Sequence, residues 1–119
     1  MTPFGAKLRT LRAERGLRLK DMAAALDVSS AYLSALEHGQ RGRPSGGLVQ
    51  QISAYFNLAW DDVDELKRLA ELSHPRIVVD TAGLSPKATE LANRLAESIG
   101  ELSEATIDRL LEAIAAEGR

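Results

Sequence analysis

The chain has 119 residues, of which 45% are hydrophobic and only 4% aromatic, so any core is built mainly of Ala, Leu, Ile and Val, a composition that favours helices over sheets. That length admits one domain, or a small domain with an appendage; the lack of cysteine excludes disulfides and thiolate metal sites, and no apolar run approaches the ~18 residues of a membrane span. The net charge of -2 is uneven: residues 1–45 carry eight Lys/Arg and four Asp/Glu, residues 46–119 seven and thirteen, so, unless the clustering is chance, a basic first part suits a polyanion and an acidic second part suits solvent or a protein partner.

Phe4, Leu8 and Leu11 recur at helical spacing and predict a first helix from Phe4 to Arg15, ended by Gly16. A second helix is expected from Leu19 or Lys20 to Leu26, with Met22, Ala23 and Leu26 inward. Asp27 then stands in a tight turn, where it tolerates positive φ better than most residues. Ser29 is a natural N-cap for a third helix anchored by Val28, Leu33 and Leu36 and ended by Gly39. A fourth helix follows Pro44-Ser45, runs through Leu48, Ile52, Tyr55 and Phe56, and closes on Asn57. A fifth follows Trp60-Asp61, with Val63, Leu66, Leu69 and Ala70 as its stripe and Asp61 or Asp62 serving its N-terminus.

His74-Pro75 breaks that helix, and Ile77-Val-Val79 reads as a short extended run, either a strand edge or a packed linker. Ser85-Pro86 starts a sixth helix with Ala88, Leu91, Ala92, Leu95, Ile99 and Leu102 on one stripe and Gly100 weakening its end. Ser103 caps a last helix carrying Ile107, Leu110, Leu111 and Ile114. The division expected is residues 1–73, a linker over 74–84, and a helical extension over 85–119. There is no internal repeat or low-complexity tract.

The segment Ser29-Ser-Ala-Tyr-Leu-Ser-Ala-Leu-Glu-His-Gly39, with the helix before it and the basic loop Arg41-Gly-Arg-Pro44 after it, suits a helix laid in a DNA groove. Residues 4–66 resemble the Cro and lambda-repressor type of helix-turn-helix, the XRE family. Leu8-Arg-Thr-Leu-Arg-Ala-Glu-Arg-Gly-Leu17 is similar to its first helix and exit. Met22-Ala23 with Leu26, Asp27 and Val28 is similar to its second helix and turn, and Tyr32-Leu-Ser-Ala-Leu-Glu-His-Gly39 to its recognition helix. Pro44-Ser45 and Asn57-Leu58 match the bounds of its fourth helix. The chain departs from the pattern at Arg18-Leu19, where Ser or Thr and then Gln are usual, and at Asp27, where Gly is usual.

The resemblance implies an all-α fold, a five-helix lambda-repressor-like domain with a C-terminal helical hairpin. It places Ser29 at the start of the reading helix and turns Ser30, Ala31, Ser34 and Ala35 toward DNA, with Leu33 and Leu36 toward the core. Ser bonds several base edges and Ala touches a thymine methyl, but none of the four is Arg, Gln or Asn. Direct readout is therefore thin, and water and DNA shape carry more of the specificity. Tyr32 is expected on a phosphate or as a half-buried structural ring, and His38 on a phosphate or as a C-terminal cap. Arg18 and Lys20 stand at a helix start, unfavourable to the dipole, where an external anion would compensate. Gln40, Arg41 and Arg43 lie in the loop after the reading helix. Arg-Gly-Arg-Pro is also the core of minor-groove AT hooks, so Arg43 reaches either a phosphate or a narrow minor groove. The resemblance further implies a structural ion pair between Arg12 and Glu37.

His38 and His74 fall in different segments, and no nucleophile, phosphate-loop or zinc-protease motif is present, so no enzyme, cofactor or metal is expected. The carboxylates Asp61, Asp62, Asp64 and Glu65 sit where a helix dipole wants them. One helix-turn-helix covers half an operator, so the expectation is a homodimer on a near-palindromic double-stranded site. Leu91, Leu95, Ile99, Leu102, Ile107, Leu110, Leu111 and Ile114 are the expected dimerisation stripe; packing onto the fifth helix is the alternative. The function expected is a cytoplasmic transcriptional repressor, associated with the nucleoid when bound. The alternatives are an antitoxin with a toxin partner, an activator touching RNA polymerase, and a protein-interaction module without DNA binding. No membrane partner is expected, and Met1-Thr-Pro-Phe-Gly5 lacks the basic-then-apolar pattern of a leader.

Overall fold

The computed structural model describes residues 1–40 and 44–118, which hold seven α-helices and no strand. The chain divides into two compact units, residues 1–77 and 78–119. The first contains α1 (Pro3–Glu14), α2 (Leu19–Leu26), α3 (Ser30–Glu37), α4 (Gly46–Tyr55) and α5 (Trp60–Glu71). The second contains α6 (Pro86–Ser98), a 3-10 turn at Ile99–Glu101, and α7 (Glu104–Glu117).

Local chemistry sets the ends of these helices. The Thr2 hydroxyl accepts the Gly5 N–H at 3.0 Å, and Pro3 occupies the first turn, where its missing N–H costs nothing. Ser29 accepts from the Tyr32 N–H at 3.1 Å and Ser45 from the Leu48 N–H at 3.2 Å. α5 has Ala59 at its N-cap and no side-chain cap; Asp61 and Asp62 answer its dipole instead. Asp27 and Asn57 adopt left-handed backbone (φ 57° and 52°), closing α2 and ending the turn after α4.

In the first unit α1 packs on α3 and α5, α2 on α3 and α4, and α4 on α5. Phe4, Leu8, Met22, Leu33, Ile52 and Leu66 are wholly buried at the centre. Two close approaches lock this arrangement. Gly5 lies against the carbonyls of Leu36 and Glu37, with no room for a Cβ. The Ser73 hydroxyl accepts the buried Phe4 N–H at 2.9 Å and donates to the Leu69 carbonyl, joining the end of α5 to the start of α1.

The second unit is built differently. Ser85 caps α6 and Ser103 caps α7 through the Ala88 and Thr106 N–H groups. None of its described residues is buried. Leu91, Ile99, Leu111 and Ile114 are each more than half exposed, whereas Leu95, Leu102 and Ile107 are partly covered. The sixth helix does not run to Leu102: its α-helical part stops at Ser98, and the turn tightens around Gly100. Ile77-Val-Val79 is neither a strand edge nor packed, since its residues are 71%, 95% and 61% exposed and lie outside any strand. An apolar triplet cannot pack without a surface beside it, and this segment follows the last helix of one unit and precedes the first of the next.

Candidate nucleic-acid interface

α3 is two-faced. Leu33 and Leu36 are buried at 0% and 2% exposure, while Ser30 and Ala31 at its N-terminal end are exposed and Ser34 and Ala35 half-buried. The period of 3.6 residues separates these rows, and the Ser29 cap fixes where the helix begins. Tyr32 is half-buried with its ring against the core, beside Val28. Ser29 and Gln40 are exposed. Arg41 and Arg43, expected on the DNA backbone or minor groove, lie outside the described residues.

His38 turns back on its own helix. Its Nδ1 lies 2.8 Å from the Ser34 carbonyl and 3.4 Å from the Ser34 hydroxyl. A carbonyl only accepts, so the shorter contact selects the tautomer with hydrogen on Nδ1. The ring therefore caps the end of α3, leaving Nε2 pointing away from that bond. Ser34 and His38 act as one unit on this face.

The cations of the first unit have different duties. Arg12 is internal: its Nε donates to Glu37 Oε2 at 2.8 Å, its Nη2 to Glu37 Oε1 at 3.1 Å, and its Nη1 to the Leu17 carbonyl at 3.0 Å. Glu37 is 2% exposed, so this fork ties α1, the α1–α2 turn and the end of α3 around a buried carboxylate. The Glu37 hydrogen bond raises the Arg12 pKa, partial burial opposes it, and the carboxylate charge adds to the rise. Arg15 lies over the Phe56 ring at 4.8 Å, and Lys7 meets Glu65 at 3.9 Å. Arg18 pairs with Asp21 at 3.1 Å on the surface, so an external anion competes there with an internal one. Lys20 is exposed and has no ion pair among the described residues.

Sequence reasoning missed Gly5 and Ser73. Both make close contacts with neighbours 31 or more positions away, and no local pattern marks them. Among the described residues no group of three His, Asp or Glu side chains can hold a metal ion. No described helix is long and apolar enough to cross a membrane.

A family model described as a helix-turn-helix domain matches residues 3–74. The chain belongs to the helix-turn-helix family. The matched span begins and ends where the Ser73–Phe4 hydrogen bond closes the bundle, and its second and third helices carry the turn at Asp27. The chain is 46% identical over 59 residues to the HTH-type transcriptional regulator DdrOP3 of Deinococcus deserti, covering 50% of this chain and 45% of that protein. It is 33% identical over 61 residues to the HTH-type transcriptional repressor RghR of Bacillus subtilis, covering 51% of this chain and 45% of that protein. The chain thus spans less than half the length of these curated relatives, which are named as regulators of transcription. Among solved structures it is similar to a SinR protein/SinI protein complex, at 20% identity and a TM-score of 0.47, covering 97% of both chains.

Proposed function

We propose that this helix-turn-helix protein is a dimeric transcriptional repressor that binds a near-palindromic operator and occludes a promoter. The observation that carries the reading is the division of α3: Leu33 and Leu36 hold it to the core while Ser30 and Ala31 stand free at its leading end. In this geometry the leading end of the second motif helix meets the base edges. Ser30, Ala31, Ser34 and Ala35 read the major groove, with Ser29 and Tyr32 at its rim. Lys20, Arg18 and the loop 40–43 meet the flanking backbone or minor groove, and His38 lies nearest the phosphates at the end of the reading helix. Four small side chains make few bidentate contacts, so DNA shape and bridging water supply much of the selectivity.

Relatives named as a transcriptional regulator and a repressor support this reading. Two copies are required to cover both half-sites, and the uncovered apolar stripes of α6 and α7 supply a surface for pairing. A regulator acting on chromosomal DNA works in the cytoplasm, on the nucleoid when bound. The same uncovered stripes favour a second reading, an antitoxin that seats a toxin there and represses its own operon.

Genome-wide DNA capture followed by binding at varied salt tests the proposal. The expected result is an enriched inverted repeat with half-sites about one helical turn apart, bound with a steep salt slope. Absence of both enrichment and salt-sensitive binding would replace the DNA reader with a protein-interaction module.

A further inference from the structure

Residues 76–80 read Arg-Ile-Val-Val-Asp, and the middle three are the most exposed apolar run of the described chain, reaching 95% at Val78. All three are β-branched, the residue type that suits a strand. Among the described residues none makes a backbone–backbone hydrogen bond to residues 75–80, and none of those six has positive φ. Neither Arg76 nor Asp80 has an ion-pair partner among the described residues; Asp80 only accepts the Ala82 N–H through Oδ1 at 2.9 Å. A row of free donors and acceptors carrying apolar side chains is a template for another strand.

The order of charges selects the occupant. We propose that residues 76–80 of two copies pair as an antiparallel ribbon whose twofold axis passes through Val78. In that register Val78 faces Val78 of the second copy, Ile77 faces Val79, and Arg76 faces Asp80, each heterologous pair occurring twice. A parallel pairing would oppose Arg76 to Arg76 and Asp80 to Asp80. A one-residue slip would separate the charges and exchange the two faces. The segment is complementary to itself in one register, and a second copy of this chain is the partner that matches it.

This inference rests on the dimer reading above and deepens it. Two five-residue strands are marginal alone, so the ribbon sets register while the apolar stripes of α6 and α7 supply area. Ser73 is tied to Phe4, and two residues, His74 and Pro75, separate it from Arg76. The three backbone steps from Ser73 to Arg76 span about 10 Å at most, so the ribbon begins within that reach of Ser73.

The chain has no cysteine, so single-cysteine variants of the full chain report cleanly. Ile77→Cys, Val78→Cys and Val79→Cys are oxidised mildly at concentrations where sedimentation reads dimer. Directly opposed residues on the axis meet the disulfide distance, whereas residues 77 and 79 meet their own copies only diagonally. Val78→Cys should cross-link about tenfold faster than the other two. Arg76→Asp should weaken the dimer about tenfold, and adding Asp80→Arg should restore it. A dimer in which all three cysteines link at equal rates, or in which the double reversal fails to restore association, overturns the ribbon and leaves the dimer standing. A monomer at every concentration overturns both.

Discussion

Arg12 holds Glu37 through two parallel hydrogen bonds, 2.8 and 3.1 Å long, across the junction of α1 and the end of α3. The carboxylate is buried and the guanidinium side chain 22% exposed, so water reaches one edge of the pair. Arg12→Ala strands a buried negative charge and should cost about 3 kcal/mol of stability. Arg12→Lys keeps the charge but loses the fork, and should cost about 1–2 kcal/mol. Because the folded Arg12 pKa is raised, its stabilisation is complete below the unfolded value and is lost only as pH rises through the folded one. Both values lie far above neutrality, so protonation of Arg12 should leave stability flat from neutral to mildly alkaline pH. Denaturant unfolding of the three proteins at two pH values checks all of this.

Gly5 brings α1 close against the end of α3. A Cβ there would run into the Leu36 carbonyl and stand 2.7 Å from the Glu37 carbonyl oxygen, and neither backbone group is free to swing away. Gly5→Ala should therefore push α1 from α3 at a cost of at least about 2 kcal/mol. Gly46 and Gly47 have nothing within 4 Å of the same atom, so alanine at either should be neutral or stabilise by up to about 0.5 kcal/mol. Equal losses at all three positions would mean that α1 and α3 are not in such close contact.

Much of this architecture was legible in local chemistry. Ser29, Ser85 and Ser103 announce helix starts because a hydroxyl three residues ahead of an unpaired N–H is a local relationship. Gly16 and Gly39, both with positive φ, announce ends for the same reason. What stayed hidden depends on distance through space. The Ser73 hydroxyl bonds an N–H 69 positions away, and nothing near Ser73 marks it. In sequence Ile77-Val-Val79 reads as a strand edge or a packed linker because apolar triplets usually have a surface to cover. Whether that surface exists within the chain is a tertiary fact, and the exposure of all three residues answers it.

Asp27 occupies the turn between α2 and α3 at φ 57°, where a side chain costs energy that glycine avoids. Its backbone N–H still bonds the Ala24 carbonyl at 3.2 Å, so the turn is well formed. Asp27→Gly should stabilise the domain slightly, by about 0.5 kcal/mol, because relief of strain is partly offset by a freer unfolded chain. Asp27→Val should cost about 2 kcal/mol, since a β-branched residue tolerates this region poorly. Thermal unfolding of both variants reads the difference.

Arg41 and Arg43 follow the reading helix in sequence. If they neutralise phosphates, Arg41→Ala and Arg43→Ala should each weaken binding to every duplex and reduce the salt slope by about 0.9. A loss confined to AT-rich sites at Arg43 would instead mark entry into a narrow minor groove. Unchanged affinity and slope in both variants would remove the loop from the interface.

Ser30 and Ser34 share a face of α3 but not a surrounding. Ser30 is exposed and its side chain makes no hydrogen bond among the described residues, whereas the Ser34 carbonyl and hydroxyl both approach His38 Nδ1. Ser30→Ala should alter base preference at one position in each half-site by about 1 kcal/mol and leave stability within about 0.5 kcal/mol. Ser34→Ala removes only the longer contact, so His38 should keep its carbonyl bond and the fold should again hold. Leu33→Ala, one residue from Ser34 but facing the core, should lose about 3 kcal/mol of stability. Selection of bound sequences from a random duplex pool, run beside unfolding curves, separates the two effects. If the serine variants unfold or Leu33→Ala does not, the helix presents a different face and the interface must be redrawn around it.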